Sequence, residues 1–459
     1  MTYGKINDLV LQNNNLPHTK ILVFGAGKSA TCLIDYLIQQ AAHYNWHVVI
    51  ADSNIDLAQN KSGGALYASP VQVDVQDDEK RNELIEQAGM VISMLPPSLH
   101  SLVAKNCVAA GRHLLTASYV DEAIRGLAPE IKKKGILFLC EMGLDPGIDH
   151  MSAMQLIHRI HNSGGKIHSF YSHCGGLVAP ESDNNPWHYK VSWNPRNLVL
   201  AGKAGAVYTF HNKTLQLPYR SLFDPGRIVE IPGYGPLAWY PNRNSLPYIS
   251  LYGLQESATF IRTTLRHPDF CTGWKKIVEL DLTDETKQHN TNGMSYKIFF
   301  ETHLRQQRLA APLSGNEEAL LAYLGLYEEE EINKGLCTAA DILQMAVEKR
   351  LQLEPEDKDM IVMLHEIAYR LESGSGKIRS TLIVKGENSM RTAMAKTVGL
   401  PLGIAATLLL QGKISLTGLH IPIVPEIYRP VLEALQKEGI VFKESYEAGN
   451  RKNHIPGSK

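Results

Sequence analysis

The run KILVFGAGKSA, residues 20–30, constrains the fold more than any other part of this 459-residue chain. A short apolar stretch runs into Gly25, Gly27 and a small third residue, Ala30, and SATCLIDYLIQQAAHY follows with helical apolar spacing. A strand that ends in GxGxxA and opens a helix has a physical reason at each position. The first Gly permits a tight turn, the second lets backbone approach a pyrophosphate, and the small third residue allows close helix–strand packing. The helix N-terminus then offers unpaired N–H groups to phosphate, and Lys28 and Ser29 lie in the same turn as further donors. Apolar runs recur at roughly twenty-residue intervals after it: HVVIAD, VQVDV, GMVISMLP, HLLTASYV and GILFLC. Apolar strands separated by amphipathic helices predict a parallel sheet covered on both faces.

A chain of this length exceeds one core, so further domains are expected. Residues 165–300 carry strand-like runs (KIHSFYSHCGG, AGAVYTFH, KIVELDLT, MSYKIFF) among Pro, Asn and Gly turns, which predicts a second α/β or α+β domain with a larger, partly antiparallel sheet. Residues 304–350 are rich in helix formers, and Glu328–Glu331 read as a solvated helix end. DMIVMLHEIAYRL and KIRSTLIVKG return to strand character, and SMRTAMAKTVGLPLGIAATLLLQGK reads as one or two helices. The net charge of −1 points to neither nucleic acid nor membrane as a partner. Six cysteines at scattered positions predict no disulfide framework and no zinc site, so no metal is expected. The N-terminus lacks the pattern of a signal peptide, and GLPLGIAATLLL is too short a run to span a bilayer. A soluble, cytoplasmic protein is the expectation.

The remaining strand ends extend the nucleotide site. VVIADSN places Asp52 and Ser53 at the end of the second strand, with Asp52 22 residues beyond Ala30, where a carboxylate accepts ribose hydroxyls and repels a 2′-phosphate. NAD is therefore expected over NADP, with NADP left open. Asp74 and Val75 in VDV suit the adenine side, and Leu95-Pro96 in SMLPP the nicotinamide side. Ligands of open α/β sheets sit outside the carboxyl ends of the strands, which puts TASY (Ser118, Tyr119) and LDPG (Leu144, Asp145, Pro146) on the same edge. In EMGLDPGIDHMSAM, Asp149 and His150 are expected to cap and pack the following helix.

GLDPGIDHMSAM, HCGGLVAPESDNNPWHYKVSWNPR, YPNRNSLPY and TTLRHPDF, with the later AMAKTVGLPLGIAA, resemble the glutamate-forming saccharopine dehydrogenases, also called saccharopine reductases. The resemblance runs from residue 20 onward. It implies a Rossmann-like domain at 20–148 plus 388–459, an inserted α/β substrate and dimerisation domain with a mixed sheet at 149–303 plus 360–387, and a small helical domain at 304–359. Residues 1–19 are left as a polar extension. It implies a homodimer and a reversible reaction of lysine metabolism: saccharopine, NAD(P)+ and water give L-glutamate, 2-aminoadipate 6-semialdehyde and NAD(P)H. Fungal members that prefer NADP carry an Arg near the second strand end, where this chain has ADSN.

The substrate is a secondary amine with three carboxylates, which calls for fixed guanidinium groups. Arg243 and Arg266 are the leading candidates, and Arg262 is a third whose more ordinary reading is a surface salt bridge. The resemblance places substrate contacts at Ser118, Tyr119, Asp145, Arg243, Thr264, Leu265 and Arg266. A proton must leave the amine and water must add to the imine, so a positioned acid/base is required. Asp145, Tyr119, Cys174 and His173 are the candidates; Asp145 also suits the substrate ammonium, and Cys174 also fits as a small buried residue. The competing functions are a carboxynorspermidine-type dehydrogenase and a non-catalytic NAD-sensing protein.

Overall fold

A computed structural model describes residues 19–307 and 313–448. The expected polar extension at 1–19 lies, but for its last residue, outside the described residues. The described chain divides into two compact units, one running to Gly143 and taking up Val398–Ile421, the other comprising Leu144–Thr397 and the chain from Pro422 on.

The first unit is built on a seven-stranded sheet. From one edge the strands are Ala68–Gln72, His47–Asp52, Lys20–Phe24, Met90–Ser93, His113–Thr116, Leu137–Leu139 and Gly418–His420, each parallel to its neighbours. Ile21 through Phe24, Met90 through Ser93 and Leu137 through Leu139 are buried on both faces, as a covered parallel sheet demands. The strand order reverses beside Lys20–Phe24, so the loops after it open at a topological switch point. The third strand is ASPVQ rather than VQVDV, and Val73–Val75 form the loop at its carboxyl end.

The helix Ala393–Leu410 is one continuous element with Pro401 inside. It has 18 residues and is long and apolar enough to cross a bilayer by length and composition, which corrects the expectation drawn from the shorter run. Yet 67% of it is buried, as in a core helix. Two of its glycines give the reason: a Cβ at Gly399 would stand 2.7 Å from the Leu33 nitrogen, and one at Gly403 would stand 2.7 Å from the Tyr36 ring. The helix Thr31–Tyr44 that opens at the glycine loop thus packs directly on backbone.

The second unit holds a nine-stranded mixed sheet. Its main path runs Ile228–Ile231, Gly235–Pro241, Thr259–Arg266, Lys166–Val178, Asp359–Leu371, Gly374–Lys385 and Lys443–Ala448, and the hairpin Ala206–Phe210/Lys213–Leu217 joins at Thr259–Arg266. The central strand Lys166–Val178 is parallel to Thr259–Arg266 and antiparallel to Asp359–Leu371.

Three expectations are corrected here. Lys443–Ala448 pairs with Gly374–Lys385, and the helix Pro425–Lys437 packs on Ile148–Asn162, so of 388–459 only Val398–Ile421 belongs with the first unit. Among its described residues the region 304–359 shows no core of its own: Leu320, Leu321, Ile342, Leu343 and Val347 share one cluster with Trp187, Phe270 and Trp274, and the Trp187 indole donates to the Leu320 carbonyl at 2.9 Å. KIVE and YKIFF are helical, within Pro268–Glu279 and Tyr296–Gln307. Phe270, Cys271, Trp274, Ile277 and Val278 recur at helical spacing on one buried face, a period that a five-residue window cannot display.

Candidate active site

The glycine loop of the first unit shows why each glycine is there. Gly25 sits at φ +98, and a Cβ on it would lie 3.0 Å from the Met94 carbonyl oxygen. Gly25 is therefore a requirement of the fold. Gly27 has no such constraint; a Cβ there would meet nothing within 4 Å. Its lack of a side chain leaves open space above the turn Lys28–Ala30 and the helix behind it, which is the approach a pyrophosphate needs. Ala30 is buried; Lys28 is exposed and Ser29 half-buried.

Asp52 is tied to this loop. Its Oδ2 accepts the Ala26 N–H at 2.7 Å, and its Oδ1 accepts the Asn54 N–H at 2.9 Å. The cap of the next helix, Ile55–Ser62, is Asn54, whose side chain accepts the Asp56 N–H at 2.9 Å. Asp52 is thus a fixed carboxylate at the strand end, and each oxygen keeps a further lone pair for a ribose hydroxyl. The Ser53 carbonyl is held by Gln72 at 3.0 Å. Asp74 is exposed in the loop after the third strand, Val75 is buried, Leu95 is half-buried and Pro96 is exposed.

His100 is a residue the sequence reading missed. It is 2% exposed. Its Nδ1 lies 2.8 Å from Ser93 Oγ and its Nε2 lies 2.7 Å from Ser118 Oγ. Burial pulls the imidazole down to about 4, so it is neutral, with one nitrogen donating and the other accepting. The result is a fixed hydroxyl at Ser118. Glu141, also buried, adopts φ 57, accepts the Val120 N–H at 3.2 Å and donates its own N–H to the Ser118 carbonyl at 3.0 Å. The loop carrying Ser118 and Tyr119 is held from both ends. The signal available in sequence was a His seven residues past a strand end, which by itself reads as helix packing.

In the second unit, LDPG opens the helix Ile148–Asn162. Gly147 has φ 147 and donates to Asp149 Oδ1 at 2.6 Å, so Asp149 does fasten the helix start. Its other oxygen does more. Arg262 Nη2 donates to Asp149 Oδ2 at 2.9 Å and to Asp145 Oδ1 at 2.5 Å, and the guanidinium carbon lies 4.4 Å from the Tyr248 ring centre. Arg262 is 2% exposed, which corrects its reading as a surface salt bridge. Burial pushes the Asp149 carboxyl up, but His150, Arg262 and the Gly147 N–H together hold it below the usual carboxylate range. His150 packs as expected, 2.5 Å from the Tyr252 hydroxyl.

Arg266 is the contrasting cation. It is 4% exposed. Its Nη1 donates to the carbonyls of Leu265 at 2.8 Å and Gly176 at 3.4 Å, and the Tyr189 and Phe270 rings lie at 5.2 and 5.4 Å. Its buried Nε has no acceptor, and among the described residues it makes no ion pair. A buried charge ordinarily carries a counter-ion. Arg266 therefore has the character of an anion receptor.

Register places the other candidates. Cys174 stands opposite Thr264 on the neighbouring strand. It is buried, and burial followed by the Asp145 and Asp149 charges pushes its thiol well above the ordinary range, which fits the small buried residue and not a proton carrier. His173 points to the other face, with its Nδ1 2.7 Å from Thr263 Oγ1. Leu265 also leaves the Arg266 face and joins the apolar cluster with Leu177 and Leu364, so only its backbone serves that face. Gly175 of HCGG is needed for close packing, since a Cβ there would lie 2.5 Å from the Leu265 carbonyl oxygen. Arg243 is exposed, at φ 52 in the turn before the helix Leu246–Leu251.

Comparison with known proteins identifies the family. Residues 21–139 match the model of the saccharopine dehydrogenase NADP binding domain, and residues 143–440 match that of the saccharopine dehydrogenase C-terminal domain. The chain is 34% identical to the Saccharomyces cerevisiae saccharopine dehydrogenase [NADP(+), L-glutamate-forming], over 92% of this chain and 98% of that one. It is 33% identical to the Arabidopsis thaliana alpha-aminoadipic semialdehyde synthase over 93% of its own length, but spans only 45% of that longer protein. The apo structure of histidine-tagged yeast saccharopine dehydrogenase (L-Glu forming) superposes with a TM-score of 0.84 at 31% identity, covering 94% of this chain and all of the other. With both domain models matched in order on a nicotinamide dinucleotide-binding fold, the chain belongs to the saccharopine dehydrogenase family.

Proposed function

We propose that this protein oxidises the CH–NH group of saccharopine, yielding L-glutamate and 2-aminoadipate 6-semialdehyde in lysine metabolism. The observation that carries the reading is Arg266, a buried guanidinium with no ion pair among the described residues, in a chain whose other unit has the dinucleotide loop. A substrate bearing three carboxylates supplies the missing anion. A polyamine precursor carries more positive charge and gains less from it, and a sensor without turnover has no use for a second, substrate-type anion site.

The dinucleotide, when bound, accepts the hydride. The residues bind, orient and hold protons. Gly27 and the helix behind it receive the pyrophosphate, and Asp52 receives ribose hydroxyls. Arg266 holds a substrate carboxylate, with Thr264 beside it on the same strand face. Asp145, kept in place by Arg262, is an anchor for the substrate amine. Ser118, fixed by neutral His100, is a hydroxyl donor or acceptor of set orientation, with Tyr119 next to it. Fixed orientation of this kind supplies much of the rate in hydride transfer.

Asp52 supports NAD as the preferred cofactor, since its carboxylate repels a 2′-phosphate; the yeast relative is NADP(+)-dependent by name. The test is product analysis. Incubation with saccharopine and NAD+ or NADP+ is expected to release glutamate and the semialdehyde in equal amounts. Arg266→Met is expected to lower kcat/KM by roughly 10- to 100-fold or more, the worth of a charge-assisted contact, with melting temperature unchanged. An Arg266 variant with wild-type kinetics overturns its assignment.

A further inference from the structure

A second constellation lies in the same unit, on side chains that the proposed chemistry does not use. His188, His267 and Asp269 bring ligand atoms within 4.8 Å of one another. His188 Nε2 lies 3.7 Å from Asp269 Oδ2, and His267 Nδ1 lies 3.2 Å from the same oxygen. Ligand atoms about 2.0–2.1 Å from a tetrahedral ion stand roughly 3.3–3.4 Å apart. The two separations to Asp269 are near that value before any ion is present, and the two histidine ligand atoms lie within 4.8 Å of each other.

The supporting residues are those a metal site needs. His188 Nδ1 lies 2.6 Å from Asp183 Oδ2, which fixes the tautomer with the proton on Nδ1 and aims the Nε2 lone pair at Asp269. This is the carboxylate–histidine arrangement found behind metal-binding histidines. Asp183 Oδ1 is buried with no hydrogen-bond partner. Asn316 donates to Asp269 Oδ1 at 3.2 Å, which leaves Oδ2 turned to the two histidines. The His188 and His267 rings stand 3.9 Å apart. His267 Nδ1 accepts the Asp269 N–H at 3.3 Å, a long capping bond that an ion would replace. His188 also adopts φ 48, a conformation that favours glycine, between Trp187 and Tyr189, both buried.

We propose that His188, His267 and Asp269 bind one divalent transition-metal ion of the zinc class, with Asp183 as the residue that orients His188. Two imidazoles and one carboxylate suit zinc, and the half-buried site leaves a fourth position to water. The ion clamps the loop preceding Tyr189 to the start of the helix Pro268–Glu279. Tyr189 and Phe270, one from each segment, are the rings against Arg266, so the clamp steadies the walls around that guanidinium.

The test uses tag-free full-length protein stripped with chelator and titrated with zinc by calorimetry, with melting temperature and cobalt(II) visible absorption as further readouts. Wild type is expected to take up one equivalent and to melt higher with zinc. Asp183→Asn is expected to weaken binding roughly 10- to 100-fold. His188→Gly, which suits the backbone, is expected to lose at least that much while the metal-free melting temperature holds or rises. No uptake by wild type, or equal affinity in His188→Gly, overturns the proposal.

Discussion

Arg262 Nη2 lies 2.9 Å from Asp149 Oδ2, with the two side chains only 3% and 1% exposed. The pair joins the start of the helix Ile148–Asn162 to the strand Thr259–Arg266, and Asp145 shares the same nitrogen. A buried pair is weak evidence of net stabilisation, but removing one partner strands the other charge.

Arg262→Met is therefore expected to cost about 3–5 kcal/mol, read from urea denaturation. A loss under about 1 kcal/mol contradicts the buried-triad description. Asp145→Asn keeps the Asp149 partner, so it should fold normally while turnover falls strongly. Near-normal turnover in that variant removes Asp145 from the site.

The two glycines of the nucleotide loop should separate stability from binding. Gly25→Ala forces a Cβ against the Met94 carbonyl at φ +98, and is expected to cost roughly 1–3 kcal/mol. Gly27→Val projects into open space. Its melting temperature should hold while dinucleotide affinity, measured by fluorescence titration, falls at least tenfold. Loss of stability in the Gly27 variant would assign that glycine to the fold instead.

Asp52 should set the cofactor preference. Asp52→Ser removes the charge that repels a 2′-phosphate, so the ratio of kcat/KM for NAD+ to that for NADP+ is expected to fall at least tenfold. An unchanged ratio places the discrimination elsewhere.

Two buried histidines predict a pH dependence of stability. Burial pulls His100 and His365 from 6.5 to about 4 in the folded chain. The unfolded chain takes up these protons first, so stability is full above about pH 6.5 and falls as pH drops toward 4. At pH 5 each histidine accounts for about 2 kcal/mol of the loss. His365 Nε2 lies 2.7 Å from Ser152 Oγ, so His365→Gln keeps a polar partner there. Urea midpoints at pH 7 and pH 5 should differ less in this variant than in wild type. An equal difference rules His365 out as a source.

The sequence made the dinucleotide unit legible because its signals are local. KILVFGAGKSA joins a strand, a turn and a helix start, and Asp52 follows at the distance the fold sets. The second unit was harder. KIVE and YKIFF look like strands in short windows, and only the longer period from Phe270 to Val278 declares a helix. Lys443–Ala448 pairs with a strand that ends at Lys385, a partnership no local pattern announces. Arg262 and Arg266 sit on the same strand, and nothing in TFIRTTLR says that the first is neutralised by two carboxylates while the second is not. His100 escaped for the same reason: its worth comes from two serines brought to it by the sheet.

The most direct measurement is the initial rate of reduced-nicotinamide absorbance on mixing the purified protein with saccharopine and either NAD+ or NADP+, beside carboxynorspermidine as the competing substrate. The account predicts a saturable rise with saccharopine, faster with NAD+, and none with carboxynorspermidine. A rise with carboxynorspermidine alone, or with neither amine at neutral and alkaline pH, would contradict it.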